Sequence, residues 1–401
     1  MTTNIQPRIR YGMVGGGEGA FIGAVHRMAA ALDGEYELVC GVFSGDAARS
    51  RRSAEALHLD SARAYPTLEA MLAAEAALPE DRRMQALAIV TPNHLHAPAA
   101  IAALDAGFHV FSEKPMAMDL AEALAIEAAV NRSGKLYGLA FTYSGYPLVE
   151  EARARVARGE FGAIRLVQTE YWQGWLSQPL DRDGNKQAEW RTDPARAGLG
   201  GCLGDIGTHA FHLAEHVSGL AVEAISADLT IHVPGRRLDD DVAALLRFEG
   251  GARGVLKATQ VAAGEENGLR LRAYGEKGGL EWSQMEPNTL ILRWLDRPAE
   301  IVRAGGPGLG PLTTARLRTP SGHPEGYIEA FANLYRAFGS AVCGEALPPP
   351  TDAAGWFPGI ADGLRTMAFV EAMIENSAGA EKWTSLGRVL DRAREGFHAT
   401  P

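Results

Sequence analysis

The first 140 residues alternate between short apolar runs and alanine-rich stretches with helical spacing. Strands are predicted over residues 9–14, 38–43, 86–90, 109–112 and 136–141. Helices are predicted between them, over residues 21–32, 46–57, 67–78, 97–106 and 119–132. Strands that alternate with helices favour a parallel, doubly wound sheet with right-handed crossovers. This pattern restricts the N-terminal part of the chain to the α/β class.

Beyond residue 145 the pattern changes to apolar runs joined by glycine-containing turns. Strands are predicted over residues 164–175, 221–233, 242–250, 252–262, 269–275, 279–284 and 290–295. The RFEGG and GEKGG segments between runs are typical of hairpins and favour a largely antiparallel sheet. The remaining expectations are helices over 147–158, 205–218, 325–342 and 359–376 and a surface loop over 304–324. We therefore predict two domains, residues 1–143 and 144–401.

Composition excludes several classes of function. The 401 residues carry a formal charge of -10 without a basic stripe, so a nucleic acid would be repelled. No apolar run approaches the roughly 20 residues that a membrane helix needs. The three cysteines, Cys40, Cys202 and Cys343, lack CxxC spacing, which argues against a disulfide framework and a cysteine–zinc site. The N-terminus shows no signal-peptide pattern. We expect a cytoplasmic protein with a small neutral substrate.

Three consecutive glycines end the first predicted strand and precede the first helix. Glycines at this turn let the backbone approach a pyrophosphate, which the orphan N–H groups of the helix N-terminus can hold. The residues expected to contact a dinucleotide here are Gly15, Gly17, Phe21 and Ile22. At the end of the second strand, Ser44 with Arg49 would accept the 2′-phosphate of NADP, whereas Asp46 would accept the ribose hydroxyls of NAD. The choice between NAD and NADP stays open.

Polar residues also follow two later strands of the predicted sheet. Open α/β sheets bind their ligands at the carboxyl ends of the strands. The candidates for cofactor contacts are Thr91, Pro92, Asn93, His96, Glu113 and Lys114. The proline after Lys114 restricts its backbone and thereby the direction of the lysine.

A third motif lies in the second half, where Asp205 and His209 stand four residues apart. On a helix this spacing sets both on one face, so that the carboxylate can orient the imidazole as a general base. One alternative is a helix cap at Asp205 with a packed His209. A second alternative is a metal site made with His212 and His216, which lacks the spacing of known zinc motifs. We predict no metal.

With these residues in place, the chain resembles the Gfo/Idh/MocA oxidoreductases. The matching segments are the glycine turn, TPNHLH at 91–96, EKP at 113–115, the Trp190–Arg191 pair and GDIGTHAFHLAE at 204–215. The resemblance implies a Rossmann domain followed by an α/β domain whose open antiparallel sheet makes contacts in a homodimer or homotetramer. It implies NAD or NADP facing Lys114, with Asp205 and His209 reaching over from the second domain. It also implies a cis peptide bond between Lys114 and Pro115.

The sequence departs from the family pattern in two places. Residues 18–20 are inserted before the first helix, which lengthens the pyrophosphate loop. The segment 142–147 lacks the arginine of the family's Asn-Tyr-Arg-like segment, so binding of an anionic substrate group there is in doubt.

These observations predict an NAD(P)-dependent oxidoreductase that acts on the CH–OH group of a sugar, glycoside or cyclitol. Lys114, Asp205 and His209 are the catalytic candidates, with the proton acceptor either His209 or Lys114. Aromatic faces and donors suited to a polyhydroxylated ring come from Tyr143, Trp172, Trp175, Lys186, Trp190 and Arg191, with His323 and Tyr327 as weaker candidates. The alternatives are a redox-neutral enzyme that cleaves glycosides by transient oxidation and a regulator that binds the dinucleotide without catalysis.

Overall fold

The first sheet has five parallel strands in the order β2-β1-β3-β4-β5. The computed structural model describes residues 8–344 and 357–399. The strands are β1 Ile9–Gly15, β2 Tyr36–Val42, β3 Ala86–Val90, β4 His109–Ser112 and β5 Tyr137–Leu139. The connecting helices are α1 Phe21–Leu32, α2 Ala47–Ala56, α3 Leu68–Ala77, α4 His96–Asp105 and α5 Leu120–Ser133. The predicted parallel, doubly wound sheet is confirmed.

The winding of this sheet reverses at β1. Because β1 lies between β2 and β3, the connections leave it in opposite directions and open a crevice beyond the strand ends. Gly15, the last residue of β1, pairs with Val90, the last residue of β3. The glycine turn and the loop after β3 therefore meet at this crevice.

The second sheet has nine strands in the order β13-β12-β11-β10-β6-β9-β8-β7-β14. They are β6 Ile164–Trp172, β7 Val222–Thr230, β8 Asp241–Phe248, β9 Arg253–Thr259, β10 Gly268–Gly275, β11 Gly278–Ser283, β12 Thr289–Trp294, β13 Glu300–Arg303 and β14 Thr384–Ser385. Within the described residues, β6 and β9 form its one parallel pair. The prediction of a largely antiparallel sheet is confirmed.

Helices cover one face of the second sheet and leave the other open. The helices of this part are α6 Pro147–Ala157, α7 Lys186–Arg191, α8 Pro194–Ala197, α9 Thr208–Ser218, α10 Pro311–Ala315, α11 Tyr327–Val342, α12 Ile360–Ala378 and α13 Leu386–Ala399. Along β6, Val167, Thr169 and Tyr171 are buried while the residues between them are partly exposed. This alternation is the signature of a sheet with one covered face.

Several elements differ from the sequence prediction. The strand β13 is polar and short, and α10 starts at a proline inside the predicted loop 304–324, so neither carries a clear periodic signal. The prediction also ended before β14 and α13, although α13 carries apolar residues at helical spacing. The helix predicted over 205–218 begins as a π-helical turn, Leu203–Gly207, ahead of α9.

The helix α11 packs on the first sheet although it comes late in the chain. Phe331, Tyr335 and Phe338 contact the ring of Phe111 from β4. The two halves are thereby joined through a shared aromatic core, and the division at residues 143 and 144 stays a prediction. Among the helices described here, none is both long and apolar enough to cross a bilayer.

Candidate active site

The glycine turn brings the start of α1 against the end of β1. Gly15 and Gly16 have φ values of 84° and 70°, a region that favours glycine. A methyl group on Gly23 would lie 2.3 Å from the Cα of Gly16, so the helix approaches the turn through two glycines. Phe21 is exposed, Ile22 is partly buried, and no side chain caps α1. The free N–H groups at this helix start fit a pyrophosphate.

The inserted residues 18–20 are tied to the second βα unit. The backbone N–H of Gly17 donates to the carbonyl of Phe43 at 3.2 Å, and a methyl group on Gly17 would lie 2.6 Å from that oxygen. The N–H of Glu18 donates to Ser53 Oγ at 3.1 Å. Ser53 was missed in the sequence because its contact depends on how α2 lies against the turn.

The candidates for cofactor discrimination lie together at the start of α2. Asp46 Oδ1 accepts the backbone N–H of Arg49 at 2.7 Å and caps the helix. Ser44 Oγ accepts the N–H of Asp46 at 3.2 Å. Arg49 is exposed. The NAD candidate Asp46 and the NADP candidates Ser44 and Arg49 therefore occupy the same turn.

The loop after β3 reaches the same crevice. Thr91 Oγ1 is buried and has no hydrogen-bond partner in the described part of the chain. A buried hydroxyl of this kind fits a polar ligand group. Pro92 follows Thr91 and precedes Asn93, whose amide donates to the carbonyl of Ala197 at 2.8 Å. The polar end of Asn93 is therefore engaged by the second half of the chain.

His96 joins two strand-end loops. Its ring lies between the carbonyl oxygens of Pro115, 2.7 Å from Nδ1, and Thr91, 2.9 Å from Nε2. The residue is fully buried. Both ring nitrogens thus face the protein backbone, which makes His96 a support for the loops that carry Thr91 and Lys114.

Lys114 bridges the two halves of the molecule. It follows β4, and the Lys114–Pro115 peptide bond is cis, as the resemblance implied. Its Nζ donates to the backbone carbonyl of Asp205 at 2.6 Å and to Asp205 Oδ1 at 3.0 Å. The ammonium is therefore held at the junction of the two sheets.

Asp205 is the centre of a network of donors. Its Oδ2 accepts from Gln260 Nε2 at 2.8 Å and from Arg191 Nε at 3.3 Å, in addition to the Lys114 contact on Oδ1. Burial raises the pKa of Asp205, but the charges of Lys114 and Arg191 outweigh it and hold the pKa far below its usual range. Asp205 is therefore ionised at neutral pH.

The predicted hydrogen bond between Asp205 and His209 is absent from the described part of the site. The hydrogen bonds of Asp205 go to Lys114, Arg191 and Gln260. The π-helical turn over residues 203–207 changes the periodicity, so residues four apart no longer align as on an α-helix. The expectation that Asp205 orients the imidazole was wrong, and the two residues belong to different contacts of one site.

His209 is held by aromatic rings. Its ring lies edge-on to Phe141 at 5.5 Å, to Tyr143 at 4.8 Å and to Tyr171 at 6.3 Å between centroids. Neither ring nitrogen has a hydrogen-bond partner among residues 8–344 and 357–399. Burial, followed by the charge of Lys114, lowers the pKa of His209 well below its usual value. The imidazole is therefore neutral at neutral pH.

Tyr143 belongs to a closed ring of hydrogen bonds. Its hydroxyl shares a short hydrogen bond with the hydroxyl of Tyr171, which donates to Asn267 Oδ1 at 2.6 Å. Asn267 Nδ2 donates back to Tyr143 at 3.1 Å. Gln173 joins the ring by donating to Asn267 Oδ1 at 2.8 Å. The Tyr143 hydroxyl is therefore engaged inside the protein, and its ring faces His209.

The sequence interpretation missed Gln260 and Asn267. Together with Gln173, they stand beside strand ends: Gln173 after β6, Gln260 after β9 and Asn267 before β10. Because β6 and β9 are parallel and β10 is antiparallel to β6, these three positions meet at the same end of three neighbouring strands. Strand register would have identified them, but register is not legible in a single sequence.

The predicted aromatic residues separate into two groups. Arg191 lies over the ring of Trp190 at 4.2 Å and 5.9 Å from that of Trp175, so these three cluster with Asp205. Trp172 lies on the opposite face of β6 from Tyr171, and its Nε1 donates to Glu170. Trp172 lines a groove of about 690 Å³ whose walls do not include Lys114, Asp205 or His209. The structure thus places Trp172 away from the other candidates.

The remaining candidates for substrate binding also lie in different places. Tyr327 lies 6.2 Å from the ring of Tyr143, at the aromatic side of the site. Lys186 and His323 are exposed, and His323 contacts the carbonyl of Pro320.

The other two histidines of α9 lie in the packed interior. His212 stacks on Phe141 at 4.4 Å and contacts Asp362 at 3.5 Å, and His216 stacks on His212. In the described ranges, no group of three or more His, Cys, Asp or Glu side chains is arranged to hold a metal ion.

Comparison with known proteins identifies both halves of the chain. Residues 9–141 match the oxidoreductase family model with the NAD-binding Rossmann fold. Residues 149–281 match the GFO/IDH/MocA C-terminal domain. An uncharacterised oxidoreductase of Bacillus subtilis is 32% identical over 341 residues, which cover 84% of this chain and 86% of the relative.

Solved structures share the whole architecture. An inositol dehydrogenase homolog of Azotobacter vinelandii, in complex with NAD+, superposes with a TM-score of 0.89 and 32% identity, covering 95% of this chain and 98% of that chain. A levoglucosan dehydrogenase in complex with NADH and levoglucosan superposes with a TM-score of 0.77 and 26% identity, covering 94% and 99%. With the glycine turn and the strand-end loops described above, these matches show that the chain belongs to the Gfo/Idh/MocA family of NAD-binding oxidoreductases.

Proposed function

We propose that this protein transfers hydride between a nicotinamide dinucleotide and a CH–OH or C=O carbon of a sugar, glycoside or cyclitol. The observation that carries the proposal is the position of Lys114. Its ammonium, from the NAD-binding half, is fixed by Asp205 of the other half within 3.0 Å. The neutral imidazole of His209 lies in the same buried site with unengaged nitrogens. This combination suits removal of a proton from a hydroxyl group.

The residues that would hold the cofactor lie along the crevice of the first sheet. Gly15, Gly17 and the start of α1 would receive the pyrophosphate, and Thr91 Oγ1 and Glu113 would meet the nicotinamide end. When bound, NAD(P) supplies the hydride acceptor for oxidation and the donor for reduction.

The protein side chains divide the remaining work. His209 accepts the proton of the substrate hydroxyl because its imidazole is neutral. Lys114 donates a hydrogen bond to the oxygen as negative charge develops on it. Asp205 holds Lys114 in place and does not itself take the proton, because its pKa lies far below its usual range. In the reverse reaction, the same groups return the proton.

The substrate class follows from the walls of the site and from the relatives. Trp175, Trp190 and Arg191 offer flat faces and donors to a polyhydroxylated ring. The similar solved proteins include an inositol dehydrogenase homolog and a levoglucosan dehydrogenase. A neutral ring substrate fits a site whose two cations, Lys114 and Arg191, are both paired with Asp205.

The test is absorbance at 340 nm with NAD or NADP against a panel of pyranoses, glycosides, anhydrosugars and inositols. Growth in step with product from one substrate class supports the proposal and names the cofactor. Loss of substrate without net change in absorbance would assign the redox-neutral cleavage of glycosides instead. Dinucleotide binding without turnover of any panel member would assign a regulator.

We further propose a homodimer or homotetramer formed through the open face of the second sheet. Leu166, Leu245 and Val255 are exposed on three adjacent strands of that face. Beside them, Glu281 contacts Arg272 at 3.4 Å and Arg293 at 2.8 Å. An apolar patch rimmed by charges is typical of a protein interface. Leu245→Glu should shift the mass measured by light scattering toward the monomer, whereas Leu32→Glu on α1 should leave it unchanged.

A cytoplasmic location and the two-domain division at residues 143 and 144 complete the proposal. Limited proteolysis with mass analysis would test the division, because cleavage concentrates at exposed links between domains.

A further inference from the structure

A buried chain of three polar side chains lies behind Lys114, and two of its members, His26 and Tyr335, have no part in the mechanism above. Glu113 precedes Lys114, and its Oε2 accepts the backbone N–H of Lys114 at 3.1 Å. Its Oε1 lies 3.0 Å from His26 Nε2, and His26 Nδ1 lies 2.6 Å from the hydroxyl of Tyr335. Glu113 directly follows β4, His26 lies on α1 and Tyr335 lies on α11, so the chain of contacts links elements far apart in sequence.

The chemistry of the three groups fixes the direction of these hydrogen bonds. Burial raises the pKa of Glu113, but His26 and Lys114 outweigh it, and the net pKa is lowered, so the carboxylate is ionised and can only accept. His26 Nε2 must therefore carry the hydrogen and donate to Glu113. Burial raises the pKa of Tyr335 well above its usual value, so its hydroxyl keeps its proton and can donate to Nδ1. The tautomer of His26 that carries hydrogen on Nε2 and has Nδ1 free to accept satisfies both contacts.

Packing leaves His26 no other arrangement. Its side chain is fully buried, and its ring lies edge-on to Phe331 at 4.6 Å, Tyr335 at 5.8 Å and Phe111 at 6.1 Å. A buried imidazole that loses one partner keeps an unsatisfied nitrogen, which is costly in such surroundings. A hydroxyl donor at Nδ1 therefore favours the tautomer whose Nε2 donates to Glu113.

We propose that Tyr335 and His26 are positioning residues for the proposed reaction, which hold the Glu113 carboxylate against the backbone of Lys114. This chain of hydrogen bonds from Tyr335 through His26 to Glu113, here called the relay, acts through the peptide of Lys114 and not through contact with substrate. Because His26 also lies on α1, three residues after Gly23, the same relay ties the glycine turn to the end of β4. Its catalytic effect rests on the proposed function, whereas the tautomer of His26 does not.

The experiment compares two variants that delete one hydroxyl each from the same aromatic core. Tyr335→Phe removes the donor to His26. Tyr36→Phe removes a hydroxyl that donates to the carbonyl of Tyr335 at 2.7 Å and has no contact with His26. We expect Tyr335→Phe to lower kcat about tenfold with little change in KM. The variant would loosen the position of Lys114 in the reaction without removing a contact to the substrate. Tyr36→Phe should keep the kcat of the wild type.

A second measurement tests the hydrogen bonds of His26 without requiring turnover of a substrate. In protein labelled with ¹⁵N-histidine, the signal of His26, identified by its loss in His26→Gln, should report hydrogen on Nε2 in the wild type and in Tyr36→Phe. Tyr335→Phe should alter that signal. Equal losses of kcat in the two tyrosine variants, or an unchanged His26 signal in Tyr335→Phe, would overturn the proposal.

A third pair covers the case in which Tyr335→Phe does not fold. The amide of His26→Gln can donate to Glu113 in place of Nε2, whereas His26→Leu cannot. We expect kcat to be higher in His26→Gln than in His26→Leu, and equal values would contradict the relay. If the wild type turns over no polyol, the proposed function fails, and the tautomer of His26 still decides whether the relay exists.

Discussion

The two sheets build the site in different ways. The first sheet contributes backbone: a glycine turn, a helix start and loops held by His96 at the ends of parallel strands. The second sheet contributes a network of side chains: Tyr171 and Gln173 donate to Asn267, and Gln260 bonds to Gln173 and donates to Asp205. A site made of backbone tolerates few changes of shape, whereas a site made of side chains can be altered residue by residue. Substrate choice is therefore expected to lie with the second sheet and cofactor binding with the first.

The largest expected effect tests the site at which Lys114 and Asp205 join the two regions. Lys114→Ala and His209→Ala should each lower turnover by ~10²-fold or more, because they remove the donor to the developing charge and the proton acceptor. Cofactor affinity, measured by fluorescence titration, should stay close to that of the wild type. The exposed residues Lys186 and His323 supply matched controls as Lys186→Ala and His323→Ala. Turnover near that of the wild type in Lys114→Ala or His209→Ala would remove that residue from the mechanism.

The next effect belongs to the first sheet alone. Gly23→Ala places a methyl group 2.3 Å from the Cα of Gly16. A Cβ atom has a fixed position on its backbone, and the Cα of Gly16 is itself a backbone atom, so neither can rotate away. We expect a loss of roughly 1–3 kcal/mol in the free energy of unfolding, as for overpacked cores, with weaker cofactor binding. Gly45→Ala is the control, because its methyl group meets open space. Equal stability and equal cofactor affinity in both variants would show that the close approach is dispensable.

A smaller effect is expected in the second sheet. Gln260→Leu removes the donor to Asp205 Oδ2 and leaves that oxygen with Arg191 alone. Loss of one hydrogen bond to a charged group costs about 1.5–3 kcal/mol, and here the cost should appear in kcat/KM with cofactor affinity unchanged. The exposed Gln178 provides the control as Gln178→Leu. A change in cofactor affinity as large as that in kcat/KM would contradict the division of labour between the sheets.

The smallest effect concerns acid stability. Burial lowers the pKa of His96 in the first region and of His209 and His216 in the second. Since the unfolded chain binds protons near pH 6.5 and the folded chain does so only at lower pH, stability falls as the pH drops below about 6.5. His216→Gln should flatten the decline by up to about 1.4 kcal/mol per pH unit, measured as melting temperature against pH. His323→Gln should follow the wild type, and parallel curves for all three proteins would refute the assignment.

The same contrast between the regions explains what could be read from the sequence. The first region was predicted closely because glycine turns, strand ends and the Lys-Pro step are local patterns. The partner Gln260 of Asp205 was not predicted, since it meets the carboxylate through the register of distant strands, and the π-helical turn that carries Asp205 was not predicted either. Trp172 illustrates the difference, because a shift of one residue along β6 exchanges the two faces of the sheet. Strand alternation alone could not say which face carries the site.

The packing of α11 has a consequence for the order in which the chain can fold during synthesis. The aromatic face of the first sheet, with Phe111, is closed by Phe331, Tyr335 and Phe338. A ribosome therefore releases all five strands of that sheet long before residue 338 exists, and the apolar face stays open to water in the interval. Strands β6–β13 of the second sheet are synthesised in this interval. The nascent N-terminal half thus depends on its own C-terminus for a finished core, and chaperone binding would be expected at this face.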